Sequence, residues 1–167
     1  LVWYHIATHN DILPYDSASL PSQTLYQNIG ETRRTGIEWE VTYQPLPRLR
    51  IQANYNRAKN TFENEAFNGN QLPGIAKDFG TVSIRRELNE KFVVTLKRIY
   101  RGTILANSDN SVELPKISVT HLEMIWNTNE AILSCGIQNL FDKMYSDNVR
   151  INAFGGRFYE ISSPRSF

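Results

Sequence analysis

Apolar and polar residues alternate with a period of two along much of this chain, most regularly over residues 36–43 and 49–56. Successive side chains of a β-strand point to opposite faces of a sheet, whereas a helix repeats about every 3.6 residues. Both segments therefore predict strands with one apolar and one polar face. Their apolar positions are Ile37, Trp39, Val41 and Tyr43, followed by Leu49, Ile51, Ala53 and Tyr55.

Weaker alternation marks six further segments, at residues 2–7, 77–87, 92–97, 121–126, 133–138 and 157–161. Together the segments predict an all-β chain of about eight antiparallel strands. Strands that extend to the neighbouring turns are about 11–16 residues long, whereas strands of soluble proteins have about 5–6 residues.

Short and long polar connections alternate along the chain. The short turns lie at residues 44–48, 88–91 and 127–130, and the long stretches at residues 13–24, 60–73, 105–114 and 146–156. The short turns recur about every 40 residues, which is the length of one hairpin of two long strands. Transmembrane β-barrels have short periplasmic turns and longer external loops. The pattern predicts part of an antiparallel transmembrane barrel, with the chain starting on the periplasmic side.

A soluble antiparallel sandwich is the alternative, because it also shows alternation and hairpins. Two features favour the membrane barrel over it. Charged residues recur on the polar faces of the strands, as expected for a wet lumen: Glu38, Glu40, Arg50, Lys97 and Glu123. Aromatic residues near strand ends suit girdles at the membrane interfaces: Trp39, Tyr43, Tyr55, Tyr100 and Trp126.

Composition and motifs exclude several classes of function. Across 167 residues, 18 Lys and Arg nearly balance 17 Asp and Glu, so no excess of positive charge points to nucleic acid. The histidines His5, His9 and His121 lack metal-ligand spacing, and no phosphate loop or nucleophile elbow is present. The single cysteine, Cys135, excludes an internal disulfide. We therefore expect no enzyme activity, no cofactor and no metal site.

Two motifs carry a family resemblance. Residues 26–40 match the pattern x-N-x-G-x-x-x-x-x-G-x-E through Asn28, Gly30, Gly36 and Glu38. Residues 139–145 match N-L-F-D-K-x-Y and begin with Asn139, Leu140, Phe141 and Asp142. With the segment at residues 149–160, these motifs make the chain resemble the C-terminal β-barrel region of TonB-dependent outer-membrane receptors, and among them the receptors for ferric citrate and other siderophores.

The resemblance implies a transporter in the outer membrane of a Gram-negative bacterium. Such a receptor binds a ferric chelate outside the cell, and the TonB complex then acts on a plug domain of the same chain. Residues 1–167 would form a C-terminal part of the barrel, surrounded by outer-membrane lipid, with the plug and earlier strands outside this sequence. The last strand is expected to begin near Arg165 and to continue past Phe167.

The motif residues also have physical interpretations. Gly30 and Gly36 predict a bulge or a close backbone approach within a long strand. Asn139 and Asp142 bracket a break in the alternation, which predicts a bend. Glu38 and Glu40 face the lumen if Trp39 faces lipid. These carboxylates would then be solvated, paired with Arg50, or in contact with arginines of the plug.

Ligand contacts are expected in the long loops, where aromatic and basic side chains suit an anionic chelate. The candidates are Tyr15, Tyr26, Phe62, Phe67, Arg101 and Asn107. The aspartates Asp11, Asp16, Asp109 and Asp147 also fall in predicted loops, where solvation is expected. Two other functions stay open: a stand-alone small outer-membrane barrel with a structural, adhesive or enzymatic role, and a soluble β domain.

Overall fold

The computed structural model describes residues 1–16, 24–151 and 157–167. Within these residues the chain forms strands and turns without an α-helix, and no helix has the length and hydropathy to cross a membrane. The strands are β1 (Val2–Asp16), β2 (Thr24–Leu46), β3 (Leu49–Phe62), β4 (Asp78–Glu87), β5 (Phe92–Arg101), β6 (Ile104–Leu105), β7 (Glu113–Leu114), β8 (Ile117–Asn127), β9 (Ile132–Ile137), β10 (Ser146–Ile151) and β11 (Arg157–Ile161).

Seven strands form one antiparallel sheet in the order β1-β2-β3-β4-β5-β8-β9. Each strand of this sheet is paired with its neighbour along the chain except where the small β6–β7 hairpin intervenes between β5 and β8. The all-β antiparallel fold expected from the alternation is therefore confirmed. The predicted tight turns are also present, between β2 and β3, between β4 and β5, and between β8 and β9.

The register gives the sheet two chemically different faces. One row across six neighbouring strands, here called the apolar row, consists of Tyr43, Ile51, Ile84, Leu96, Leu122 and Ile137. The row one residue away, on the opposite face, consists of Thr42, Gln52, Ser83, Lys97 and His121. We call the face that carries the apolar row the apolar face, and the opposite one the polar face. Cys135 lies on the apolar face opposite Met124.

Aromatic side chains border the apolar face at both ends. On the loop side, Trp39, Tyr55 and Tyr100 occupy one register row, which crosses Gly80 between them. On the turn side, the ring of Phe92 stacks on Trp126 with a centroid distance of 5.6 Å. Leu96 lies four residues from each border on β5. This arrangement agrees with the predicted girdles at the two membrane interfaces.

Glu38 and Glu40 lie on the polar face, as predicted from the position of Trp39. The Glu38 carboxylate accepts a hydrogen bond of 2.7 Å from Asn56 Nδ2. Among the described residues neither glutamate forms an ion pair with Arg50. Of the three alternatives, pairing with Arg50 is therefore excluded, because Glu40 is in register with Asn54, four residues from Arg50 on β3.

The long connections differ from the predicted boundaries. The stretch expected as a loop at residues 13–24 contains the end of β1 and the start of β2, and residues 17–23 of it lie outside the described residues. The third stretch contains β6 and β7, and the fourth contains β10. The predicted eighth strand at residues 157–161 is β11, which pairs with β10 in a separate two-stranded sheet. Polar composition concealed these strands because paired backbone needs no apolar side chain when both faces are wet.

A bulge explains how β1 and β2 continue beyond the regular alternation. Asn10 and Gly30 both have positive φ angles, of 57° and 81°, and the register shifts on either side of the Asp11–Gly30 pair. The Asn28 side chain holds this geometry, because its Oδ1 accepts from Gly30 N at 2.8 Å and its Nδ2 donates to Asn10 at 3.2 Å. Gly30 therefore permits the expected bulge.

Gly36 permits a close approach of β1 to β2. A Cβ atom at this position would lie 2.5 Å from Tyr4 Oη and 2.8 Å from the Arg57 carbonyl oxygen. The Tyr4 side chain therefore lies across the backbone of the glycine opposite to it in the register. The same arrangement recurs on the apolar face, where Tyr55 covers Gly80.

The predicted bend at the second motif is present after β9. Asn139 and Asp142 have φ angles of 50° and 51°. The buried Asn139 amide accepts from Lys143 N at 3.0 Å and donates to Lys143 O at 2.8 Å, closing the turn around Leu140 and Phe141. Asp142 Oδ1 accepts from Arg165 N at 2.9 Å. The next residue, Ser166, forms an isolated bridge with Gln138, close to Arg165, where the last strand was expected to begin.

Candidate ligand-binding loops

The segment after β3 folds back onto the loop end of the sheet and forms a buried apolar cluster there. Phe62, Leu72 and Ile29 are buried together, with Phe62 and Leu72 each 1% exposed, and Phe67 packs against them. The rings of Phe62 and Phe67 are 5.4 Å apart. Asn64 Nδ2 donates to the Ile29 carbonyl at 2.6 Å, which ties this segment to β2. We call residues 63–77 loop A.

The segment between β5 and β8, residues 102–116, is here called loop B, and side-chain amides join it to loop A. Asn110 Oδ1 accepts from Gln71 N at 2.8 Å, and Asn110 Nδ2 donates to Gln71 O at 2.9 Å. This side chain thus pairs with a backbone as a neighbouring strand would. Asn70 Nδ2 donates to Ser108 O at 2.9 Å, and Gly74 N donates to Leu105 O at 2.8 Å. Loops A and B form one hydrogen-bonded unit.

Loop B is ordered internally by a turn that begins at Asn107. Its Oδ1 accepts from Val112 N at 3.0 Å, and its Nδ2 donates to Ser111 Oγ at 2.9 Å. Asn110 closes this turn with a φ of 58°, and its N–H donates to Asn107 O at 3.1 Å. Val112 and Leu114 are buried beneath the turn, at 4% and 1% exposure. Their burial stabilises the loop against unfolding.

Arg101, the last residue of β5, links the main sheet to β10. Its two terminal nitrogens donate to the carbonyl oxygens of Asp147 and Ser146, at 2.9 and 3.0 Å. The Nε atom is buried without a partner among the described residues. Arg101 therefore fixes the start of β10 against the main sheet and does not present a free guanidinium to solvent.

A polar cluster lies at the bulge between β1 and β2, on the loop side of the aromatic border and therefore outside the membrane-spanning part of these strands. Asp11 accepts from Thr32 Oγ1 and from Arg34, both at 2.6 Å, and Arg34 also donates to Thr8 at 3.0 Å. Burial acts to raise the pKa of Asp11, but the hydrogen bonds of Thr32 and Arg34 and the charge of Arg34 outweigh it, so the pKa lies below its usual 3.8. Asp11 was expected as a solvated loop residue, and this was wrong because the bulge turns it towards Thr32 and Arg34.

The six predicted ligand contacts do not form one site among the described residues. Tyr26 is 69% exposed on β2, and Tyr15 lies in β1 beside Leu25, although its side chain is outside the described part. Phe62 is buried, and Phe67 packs on it. Arg101 binds the backbone of β10, and Asn107 binds the backbone of loop B. The structure therefore gives four of the candidates loop-building contacts, and their part in ligand binding stays a prediction.

Sequence reasoning missed the residues that join loop A to β2 and to loop B. Asn64, Asn70, Gln71 and Asn110 were included in polar stretches expected to be solvated. The available signal was the density of Asn and Gly in these stretches, because amide side chains both donate and accept and therefore mimic backbone. Within the described residues, no three His, Cys, Asp or Glu side chains cluster as metal ligands would.

Comparisons with known proteins agree with this architecture. A family profile described as "TonB dependent receptor-like, beta-barrel" matches residues 1–140. Heme/hemopexin utilization protein C of Haemophilus influenzae is 29% identical over 159 residues, which is 91% of this chain and 21% of that protein. The chain thus spans about a fifth of the length of the curated relatives it matches.

Solved structures share the fold at lower identity. The siderophore receptor PiuA of Acinetobacter baumannii superposes with a TM-score of 0.76 at 19% identity, covering 96% of this chain and 24% of PiuA. The copper transporter OprC gives a TM-score of 0.77 at 18% identity, with 98% and 26% covered. The two-faced sheet, the aromatic borders and the profile match lead to one conclusion: the chain belongs to the TonB-dependent receptor β-barrel family of the Gram-negative outer membrane.

Proposed function

We propose that the protein imports a ferric chelate across the outer membrane in a TonB-dependent step. Residues 1–167 act in it as a C-terminal part of the barrel and supply wall and external loops. The observation that carries the proposal is a sheet with one lipid-compatible face and one polar face, with two hydrogen-bonded loops at one end. Its partners would be the chelate, outer-membrane lipid, a plug domain of the same protein and the TonB complex. The proposal includes no enzymatic step.

The chemistry of the cargo is the finer part of this proposal. A relative is named for the use of heme and hemopexin, and similar folds belong to a siderophore receptor and a copper transporter. Two of these three names, those with heme and with a siderophore, refer to iron-binding compounds, and the third refers to copper. A ferric citrate or siderophore complex agrees with the motif at residues 149–160, of which residues 152–156 lie outside the described part.

Loops A and B suit ligand capture because they present a preorganised surface. Side-chain amides fix both loops before any ligand arrives, so binding would not carry the full entropic cost of ordering them.

Tyr26 is the predicted contact that is both described and strongly exposed, at 69%. We therefore assign first contact with the chelate to Tyr26 and a supporting role to Phe62, Phe67, Arg101 and Asn107.

A growth assay under iron limitation tests the function. Strains with the parent gene intact or deleted are supplied with single ferric chelates, and the deletion should abolish growth on one of them. Equal growth of both strains on every chelate would refute iron import.

A stand-alone barrel is not favoured, because the main sheet has seven strands among the described residues and the smallest closed barrels have about eight.

Binding to the purified whole protein tests the contact residue. The Tyr26→Ala variant should bind the growth-supporting chelate about 5- to 30-fold more weakly, the loss expected for an aromatic contact of about 1–2 kcal/mol. Gln27→Ala is the matched control, since Gln27 is the exposed neighbour whose side chain points to the other face of β2. Equal affinity of the two variants would remove Tyr26 from the binding surface.

A further inference from the structure

Two arginines face each other on the polar face near the tight turns. Arg50 of β3 and Arg85 of β4 occupy directly opposed register positions. Side chains in such positions have Cβ atoms about 4.5–5.5 Å apart, and like charges there destabilise the pairing of the two strands. The sheet therefore holds a repulsive pair at a place where polar neutral residues would serve as wall equally well.

Glu87 lies two residues from Arg85 on the same face, but no carboxylate of the described residues forms an ion pair with Arg50 or Arg85. Neither guanidinium has a side-chain hydrogen bond or an ion pair within the described part of the chain, whereas Arg33, Arg34, Arg48 and Arg57 each pair with a carboxylate. Glu123 lies in the same register row but two strands beyond Arg85, at about 10 Å for a strand spacing of about 4.8 Å.

The two arginines also border a cavity. It has a volume of about 390 Å³ and is lined by Gln44, Pro47, Arg48, Leu49, Arg50, Arg85 and Glu87. Three of these residues are cationic and one is anionic, so the cavity carries an excess of positive charge. Arg48 is already engaged with Glu90, at 3.9 Å. The cavity leaves room for an acidic side chain to reach both free guanidinium groups.

We propose that Arg50 and Arg85 form a docking site for an Asp or Glu carboxylate on the part of the protein that fills the barrel lumen. Guanidinium groups bind carboxylates through paired N–H donors, and two of them would clamp one carboxylate from both sides. The occupant lies in the same protein, since the matched relatives are about five times as long as this chain. The inference rests on the proposed function, because it requires a lumenal domain.

Carbodiimide cross-linking of the whole protein tests the contact directly, because this reagent joins an amine to a carboxylate only when the two touch. Arg85→Lys keeps the charge and supplies the amine. The expected product links residue 85 to an acidic residue outside residues 1–167, identified by mass spectrometry. The control is Arg86→Lys on the apolar face, which should give no such product. Absence of the product, or links only to Glu87, Glu90 or Glu123, would overturn the proposal.

Charge reversal at Arg85 tests whether the two arginines hold a lumenal carboxylate or have no function and only repel each other. The Arg85→Glu substitution places opposite charges across β3 and β4, so the barrel should melt at an equal or higher temperature. Docking should nevertheless fail, and a protease should cut the lumenal domain several-fold faster than in the unaltered protein. A stabilised barrel with unchanged protection of the lumenal domain would show that the two arginines have no docking role.

The outcomes also separate this inference from the proposed function. Cross-linking is carried out on the folded protein without any chelate, and the growth assay needs no variant. A cross-link to a lumenal carboxylate in a protein that supports no growth on ferric chelates refutes iron import alone. Growth without the cross-link refutes the docking site alone.

Discussion

A single arginine on the apolar face would test the assignment of the two faces most directly. Leu96 occupies the centre of the apolar row, between Ile84 and Leu122. On its own strand it lies four residues from Tyr100 at the loop-side border and four from Phe92 at the turn-side border. At about 3.4 Å per residue, both borders are about 14 Å away along the strand. Leu96 therefore lies close to the bilayer midplane.

The expected cost of Leu96→Arg follows from this depth. Arginine on the lipid face of a transmembrane barrel costs about 2–4 kcal/mol at the midplane and about 0–1 kcal/mol near an interface. The midplane value lowers the folding equilibrium constant about 30- to 700-fold. The matched control is Thr95→Arg, one residue away on the polar face, between Arg85 and Glu123. Repulsion from the first and attraction to the second offset each other, so the control should change stability by less than about 1 kcal/mol.

The assay is urea unfolding of the whole protein in lipid vesicles, followed by tryptophan fluorescence, with heat-dependent gel mobility as the check on barrel formation. The midpoint for Leu96→Arg should fall well below that of Thr95→Arg at an equal slope. Equal midpoints would refute the assignment of the apolar face to lipid. A lower midpoint for Thr95→Arg would reverse the two faces.

Three further substitutions test the loops and the long strands. Phe62→Ala should destabilise loop A by about 3–5 kcal/mol, which limited proteolysis would detect as faster cleavage within residues 63–77, and unchanged cleavage would contradict the packing described. Gly36→Ala should weaken the pairing of β1 with β2 and lower the melting temperature. Adding Tyr4→Ala should restore the melting temperature only in part, because the new Cβ atom still meets the Arg57 carbonyl. Full restoration would show that this backbone contact is unimportant. Asp11 has a lowered pKa in the folded protein, so its stabilising contribution is complete above pH 3.8 and is lost as the pH falls further. The difference in unfolding free energy between the unaltered protein and Asp11→Asn should therefore shrink only below that pH. A difference that stays constant with pH would refute the role of the charge.

The sequence was sufficient to predict the central part of the sheet because alternation there is uninterrupted. Residues 36–43 and 49–56 place every second side chain on one face, and the register shows that these faces coincide from strand to strand. The alternation did not predict the parts of β1 and β2 on the loop side of Gly36, and the reason is physical. Residues 31–35 are all polar, so polar side chains appear on both faces although the backbone remains paired, and two opposite register shifts at Asn10 and Gly30 interrupt the pairing locally.

The loops were less predictable because their order depends on pairs of residues that lie far apart in sequence. Asn110 and Gln71 pair across 39 positions, and Asn70 reaches Ser108 across 38. Each of these residues alone is typical of a solvated loop. Phe62 and Phe67 were expected to contact ligand, since aromatic residues in external loops suit a chelate. Their mutual packing could not be read from spacing, because it depends on loop A folding back over β2.

The distribution of burial distinguishes a membrane wall from a soluble sheet of the same register. In a soluble sandwich the apolar face of each sheet would be covered by protein. Here the buried apolar residues of the central strands, such as Ala58, Val93 and Val119, occupy positions on the polar face. The apolar face stays open, with Val82 at 44% and Leu133 at 53% exposure. An apolar surface of this extent is stable only against a partner as apolar as itself, and on a sheet bordered by two aromatic rows that partner is the lipid bilayer.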